Sequence, residues 1–197
     1  MQIETIESLN KKLTSLPGIS KKQAEKISNF LMQVDKEYLD DLIEHFMSLK
    51  KRISFCSKCN FIEEDNKCLS CYENKEKNLM IVESPAIVKK ISNMDFFNGY
   101  FYVLPSLVTI KAQLKDELDL DFSHLLNFIR DKNINEVIIV LSPTIDGEIT
   151  TNYLMNKLDE EKIKNSRAAI GMPMNSNIDY LDTFTIKQSI ENRNNKK

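Results

Sequence analysis

Every cysteine of the chain lies within sixteen residues, as Cys56-Ser57-Lys58-Cys59, eight intervening residues, and Cys68-Leu69-Ser70-Cys71. Two Cys-x-x-Cys pairs at this spacing form the ligand set of a four-cysteine zinc site, because each tight turn delivers two of the four thiolates that a tetrahedral cation needs. The segment has few apolar residues of its own, so metal binding would supply most of its folding free energy. Two disulfides are the alternative; the N-terminal sequence lacks a secretory signal and the remainder of the chain has no cysteine, which favours the metal. Four thiolates leave no open coordination position, so the expected zinc is structural and one per chain, with no catalytic role.

The 197 residues suffice for one or two small domains, and the apolar fraction of 42% suffices for a core. No apolar run reaches the length of a membrane span, and Met1-Gln2-Ile3-Glu4 opens no signal peptide, so the expected setting is reducing and cytoplasmic, with no membrane partner. The net charge of −2 conceals an uneven distribution. Between Asn10 and Lys26, Lys11, Lys12, Lys21, Lys22 and Lys26 stand against one acid, Glu25, and Lys50, Lys51, Arg52 and Lys58 form a second basic group. A local basic patch is enough for nucleic-acid binding, although a solvated lysine face has the same composition.

Ile3, Ile6, Leu9 and Leu13 recur at helical spacing over residues 3–15. Leu16-Pro17-Gly18-Ile19-Ser20 breaks this helix, and Ser20 with Gln23 three residues on predicts a capping box for the next, whose apolar face is Ala24, Ile27, Phe30 and Leu31. A third helix over 37–51 would turn Leu39, Leu42, Ile43, Phe46 and Leu49 inward. Three helices make a thin core, so this part is expected to dock on a partner or a second copy. The first amides of the second helix, with Lys21 and Lys22, could hold a phosphate; an ordinary packing corner reads the same way.

Beyond a polar hinge at 74–77 the pattern changes. Leu79–Val82, Phe101–Leu104 and Val137–Leu141 read as buried parallel strands, Ala168–Ile170 as a fourth. Ser84-Pro85 reads as an N-cap and first-turn proline before Ile87, Val88 and Ile91. Residues 114–120 form an acidic connection. A helix over 121–132 would face Phe122, Leu125, Leu126 and Ile129 inward, and another runs from the turn at 142–148 through Leu158. Alternation of strand and helix implies a mostly parallel α/β domain. Two strands end in acid-bearing turns, with Glu83 after the first and Asp146 and Glu148 after the third. Ligands bind at that edge of a parallel sheet, and three convergent carboxylates could hold Mg²⁺. Acids in a helix's first turn also answer the helix dipole alone. His45 and His124 have no partner at a ligand spacing and are assigned to packing or surface.

The order of these motifs is the larger signal. A helical hairpin with Leu-Pro-Gly, the four-cysteine knuckle, Val82-Glu83-Ser84-Pro85-Ala86 and Pro143-Thr144-Ile145-Asp146-Gly147-Glu148 form one series, continued by Gly171-Met172-Pro173 and Asp179-Tyr180-Leu181-Asp182. Over nearly its whole length the chain resembles the bacterial recombination mediator family RecR. The resemblance implies a helix–hairpin–helix unit for DNA binding and dimerisation over 1–53, a zinc finger over 54–77, a Toprim domain over 78–171, and a Walker-B-like segment and assembly tail over 172–197. It further implies a non-enzymatic DNA-repair protein that assembles into dimers or ring-like tetramers. With RecO, and possibly RecF, such a protein helps load RecA onto gapped or single-stranded DNA. On the matching positions, Lys11, Lys12, Lys21, Lys22 and Lys26 would meet DNA, and Glu83, Asp146 and Glu148 would form an acidic surface for partners or for Mg²⁺.

The chain departs from the family pattern at three places. Ser20 replaces a second hairpin glycine, Pro105–Ile110 replaces a Gly- and Pro-rich loop, and Asn175-Ser176 replaces Gly-Gly. The competing reading is a Toprim nuclease or primase-like enzyme using Mg²⁺ at the three acids. A zinc-dependent RNA-binding module is a third. No tyrosine nucleophile stands beside the acidic turns, and Tyr153 reads as a packing residue.

Overall fold

The structure, a computed structural model, describes residues 3–71, 75–110 and 120–193. It divides into two compact units, Met1–Ile53 and Ser54–Lys197.

In the first unit, α1 (Glu4–Thr14) packs on α2 (Lys21–Leu31), and α3 (Lys36–Arg52) follows. Gly18 takes a φ of +81° in the connecting turn, a left-handed conformation that glycine adopts without a Cβ penalty. Ser20 completes the expected capping box: its hydroxyl accepts from the Gln23 amide at 3.3 Å, and its amide donates to Gln23 Oε1 at 2.8 Å. Asp35 caps α3 by accepting from the Tyr38 amide at 2.7 Å, and the Tyr38 ring meets Phe30 edge-on at 5.9 Å.

The expected inward faces are only partly covered. Ala24 and Ser28 are the buried residues of α2, while Phe30 is exposed. On α3, Leu39 and Leu42 are half-buried, but Ile43, Phe46 and Leu49 are exposed, Phe46 by 66%. Three helices in one small unit supply too little opposing surface to cover a third apolar stripe, as the surface-to-volume ratio of so short a segment dictates.

In the second unit, β1 (Ile53–Phe55), β2 (Ile62–Glu64) and β3 (Lys67–Cys68) form a small sheet in that order. Asp65 and Asn66 turn the β2–β3 hairpin with φ of +49° and +62°, values that Asp and Asn tolerate best among residues with a side chain. The larger sheet contains β4 (Glu76–Val82), β5 (Gly99–Val103), β6 (Glu136–Val140) and β7 (Asn165–Arg167), all parallel, in the order β5-β4-β6-β7. The helices are α4 (Pro85–Ser92), α5 (Phe122–Lys132), α6 (Ile145–Glu160) and α7 (Thr183–Glu191), with a 3₁₀ turn over Ile178–Tyr180. Leu79, Ile81, Val82, Val137 and Ile139 from the two central strands are buried together with Leu125, Leu154 and Leu158 from the helices. This mixed α/β architecture with a parallel sheet matches the expected class.

Several boundaries differ from expectation. Glu76 and Lys77 are strand rather than hinge, because the Glu76 amide donates to the Asn98 carbonyl at 3.0 Å and the Lys77 carbonyl accepts from the Asn135 amide at 2.7 Å; residue 74 lies outside the described residues. The fourth strand is Asn165–Arg167 and not Ala168–Ile170, with only the Ala168 amide reaching the Ile139 carbonyl at 2.9 Å. On α5 the buried face is Leu125, Phe128 and Ile129, with Leu126 only half-buried; Phe128 lies between the rings of Tyr100 and Tyr102, at 6.2 and 5.8 Å. Ser84 holds the N-cap position of α4 with Pro85 behind it, but its side chain makes no capping hydrogen bond. Of the acidic connection at 114–120, residues 114–119 lie outside the described residues.

Candidate metal centre and sheet-edge site

The knuckle begins with two matched turns. The Cys56 amide donates to the Phe61 carbonyl at 2.7 Å and the Asn60 amide to the Cys56 carbonyl at 2.9 Å, closing the first Cys-x-x-Cys turn; Asn60 takes a φ of +57° to leave it. In the second turn the amides of Ser70 and Cys71 point at Cys68 Sγ, at 3.3 and 3.4 Å, as the Lys58 amide points at Cys56 Sγ at 3.4 Å. All four sulfurs are buried and lie within 4.8 Å of one another. Cys56 and Cys71 are 3.7 Å apart and Cys59 and Cys68 3.5 Å apart, so no disulfide links them. A tetrahedral thiolate shell with a metal–sulfur bond of about 2.3 Å has sulfur–sulfur edges of about 3.8 Å. The observed spacing therefore fits a metal ion, and the amide donors fit thiolate rather than thiol acceptors. Proton competition within the cluster follows the same geometry. Cys59 and Cys71, with the two amides, hold the Cys68 thiol far below its usual range, while hydrogen bonding to Cys68 and Cys71 and burial push Cys59 up.

The knuckle is fastened to the large sheet. Val103, at the end of β5, turns both main-chain groups away from β4: its amide donates to the Cys59 carbonyl at 2.9 Å, and its carbonyl accepts from Asn60 Nδ2 at 3.0 Å. From α5, Lys132 Nζ donates to the Cys71 carbonyl at 3.1 Å and lies 5.3 Å from the centre of the Tyr100 ring. His124 places Nε2 2.7 Å from the Ser57 carbonyl and Nδ1 2.6 Å from the Tyr102 hydroxyl. Both knuckle turns are thus tied to α5, and the cysteines join the same buried cluster as the sheet residues. His45, in contrast, is an exposed residue of α3 beside Asp41.

The strand-edge acids occupy the expected end of the sheet. Val82 pairs with both Val103 and Val140, so the residues after β4 and β6 emerge side by side. Glu83 there accepts from the Ser142 amide at 3.2 Å and from the Ser142 hydroxyl. Thr144 caps α6 by accepting from the Gly147 amide at 3.1 Å, which places Asp146 and Glu148 in the helix's first turn. Gly147 is required: a Cβ would collide with the Ser142 carbonyl oxygen. Glu148 is already engaged. Its two oxygens accept from Arg167 Nη1 at 2.9 Å and Nη2 at 2.6 Å, and that bonding raises the guanidinium's hold on its proton. Among the described residues, the cysteines are the one group of three or more His, Cys, Asp or Glu side chains gathered at metal-ligand distances.

The basic cluster stays together as well. Lys11 and Lys12 end α1, Lys21, Lys22 and Lys26 occupy the first turns of α2, and all five are exposed. They bracket the Leu16–Ser20 turn, within which the Ile19 amide donates to the Leu16 carbonyl at 3.3 Å.

Sequence reasoning missed His124, Lys132, Asn60 and Arg167. None belongs to a local motif, because each acts on a partner 19 to 67 positions away. Asn60 alone carried a local signal, as a residue able to take positive φ directly after a Cys-x-x-Cys turn.

Comparison with known proteins agrees with this anatomy. The Toprim domain family matches residues 77–169, and a family described as RecR, C-terminal, matches residues 171–194. Recombination protein RecR of Mycoplasmopsis pulmonis is 36% identical over 194 residues, covering 98% of this chain and 100% of that protein. Recombination protein RecR of Phytoplasma mali is 34% identical over 198 residues, with 97% and 95% covered, and that of Tropheryma whipplei 29% identical over 195 residues, with 98% of each covered. Each is named for recombination and not for an enzymatic reaction. No helix among the described residues is long and apolar enough to cross a membrane. With an identity of this size running from one end of the chain to the other, and the four-thiol knuckle joined to a Toprim sheet, the chain belongs to the RecR family of recombination proteins.

Proposed function

We propose that the protein is a mediator of DNA repair by homologous recombination, active in the cytoplasm, which binds DNA and, with RecO and possibly RecF, helps load RecA onto gapped or single-stranded DNA. The observation that carries this reading is the end-to-end similarity to RecR proteins, which spans the helical unit, the knuckle, the Toprim domain and the C-terminal segment alike. The work is divided among 1–53 for DNA binding and dimerisation, 54–77 for the zinc finger, 78–171 for the Toprim domain and 172–197 for assembly into a dimer or ring. Lys11, Lys12, Lys21, Lys22 and Lys26 supply the phosphate contacts, helped by the α2 amides of Lys21 and Lys22 that the capping box leaves open.

Cys56, Cys59, Cys68 and Cys71 hold one Zn²⁺. When bound, the ion supplies a structural cross-link and no reaction chemistry, since all four positions are taken by sulfur. Glu83, Asp146 and Glu148 present an acidic face to a protein partner. The pairing of Glu148 with Arg167 and of Glu83 with Ser142 favours that role over a Mg²⁺ site, because both carboxylates already have donors.

The test uses the purified, zinc-loaded chain. It should bind gapped and single-stranded DNA in preference to RNA and, with RecO, accelerate RecA assembly on strands coated with single-strand-binding protein. With Mg²⁺ or Mn²⁺ it should neither cleave nor extend DNA. Metal-dependent cleavage that disappears in Glu83→Gln would establish the nuclease instead.

A further inference from the structure

An open groove of about 610 Å³ runs between the knuckle and α4. Phe61 and Leu69 form its knuckle wall, and Pro85 and Val88 its helix wall. Phe61 and Val88 are buried at its floor, whereas Leu69 stands 64% exposed at its lip. The volume is that of a site for a small ligand or a few side chains of a peptide. Its charge distinguishes it from an ordinary surface depression: the charged lining residues, among those described, are Lys75 and Lys89, with no acid to balance them.

We propose that this groove docks a short segment of another protein in which aliphatic or aromatic side chains alternate with carboxylates. The apolar side chain fills the space between Leu69 and Val88, and the acids pair with Lys75 and Lys89. Burial of an apolar anchor supplies affinity, and the lysine rim supplies selection by charge. Nucleic acid fits less well: Phe61, the ring in the wall, is buried and offers no open face on which a base could stack. The groove is separate from the acidic face, since neither Glu83, Asp146 nor Glu148 lines it. The inference therefore stands independently of the mediator role.

The experiment is selection of short random peptides on the full zinc-loaded chain, followed by titration of the selected peptides made synthetically. Expected sequences place Asp or Glu within a few residues of Leu, Ile or Phe, and bind saturably. The double variant Leu69→Asp with Lys89→Glu should weaken that binding by about tenfold or more. Its zinc content and melting should match the parent, because both side chains are exposed. Lys89→Glu alone should recover affinity for peptides in which lysine replaces the acid. Failure to enrich any acidic–apolar peptide would overturn the proposal, as would equal binding to the double variant. Displacement of the peptide by a single-stranded oligonucleotide would reassign the groove to nucleic acid. Loss of self-association in the double variant would reassign it to a second copy of the chain.

Discussion

Arg167, the last residue of β7, grips Glu148 in the first turn of α6 through two parallel hydrogen bonds of 2.9 and 2.6 Å. Both side chains are about two-thirds covered. A two-point fork of this kind binds strand end to helix start, and only a guanidinium has the geometry for it.

Arg167→Ala should therefore destabilise the α/β unit by about 1–3 kcal/mol, because a partly buried carboxylate is left without its donors. Arg167→Lys keeps the charge but loses the fork and should fall between. Thermal melting of both variants checks this; equal melting of Arg167→Ala and the parent would show that the pair adds nothing to stability.

Gly147→Ala should be costly for a different reason. The added methyl meets the Ser142 carbonyl oxygen, so either the 142–148 turn or the start of α6 must move. Overpacking of this sort costs about 1–3 kcal/mol. The same substitution should disturb Glu83, whose carboxylate accepts from Ser142. Denaturant unfolding measures the first effect, and the chemical shift of the Ser142 amide reports the second.

His124 joins a buried tyrosine hydroxyl to the first cysteine turn. His124→Ala leaves the Tyr102 hydroxyl and the Ser57 carbonyl without this partner, with an expected loss of about 1–3 kcal/mol. Burial pushes Tyr102 up to about 12. An unfolded tyrosine ionises near pH ~10, so the native state keeps its proton longer. The stability that Tyr102 contributes is complete below pH ~10 and is lost as the pH rises towards about 12. A tyrosinate absorbance titration should show one late-ionising tyrosine, absent in Tyr102→Phe.

Chelation of the metal should act at a definable distance. The Val103 amide, which donates to the Cys59 carbonyl, should lose its protection from hydrogen exchange. The Leu104 amide, which donates to the Val82 carbonyl inside the sheet, should keep most of its protection. Equal loss at both would mean that the sheet itself depends on the knuckle. Cys68→Ser should reproduce the chelated pattern, with metal content falling below one per chain.

Replacing Lys21 and Lys22 together by Ala should weaken DNA binding and reduce the salt dependence of its affinity, by a slope of about 0.7 per lysine on a single strand. An unchanged slope would remove both residues from the contact set.

The parts of this fold that were readable in advance rest on local rules. Ser20 and Gln23 form a capping box because the spacing alone determines it, and Leu79–Val82 forms a central strand because an apolar β-branched run has few alternatives. The cysteine spacing was sufficient to indicate that the four sulfurs gather within metal-ligand distances of one another. β7 was misplaced because its residues, Asn165, Ser166 and Arg167, are polar and half-buried at the rim of the sheet; its pairing with β6 is set by Val137–Ile139 opposite, not by its own pattern. The inward face expected of α3 was a sound reading of periodicity with nothing in its own unit to cover it. Glu83, Asp146 and Glu148 lie after strands as the sequence indicated, yet what holds Glu83 and Glu148 came from Ser142 and Arg167, whose roles exist only once the sheet has assembled.

The position of Asn60 and Cys59 against Val103 has one more consequence. β5, with the sequence Gly-Tyr-Phe-Tyr-Val, is the outermost strand on its side of the sheet and is rich in residues that favour cross-β pairing. An unguarded strand of that kind is a template for intermolecular β-addition. Here the cysteine turn takes up both outward-facing main-chain groups of Val103 and so blunts the template at that end. The cysteine turn thereby doubles as a guard against aggregation at that end of the strand.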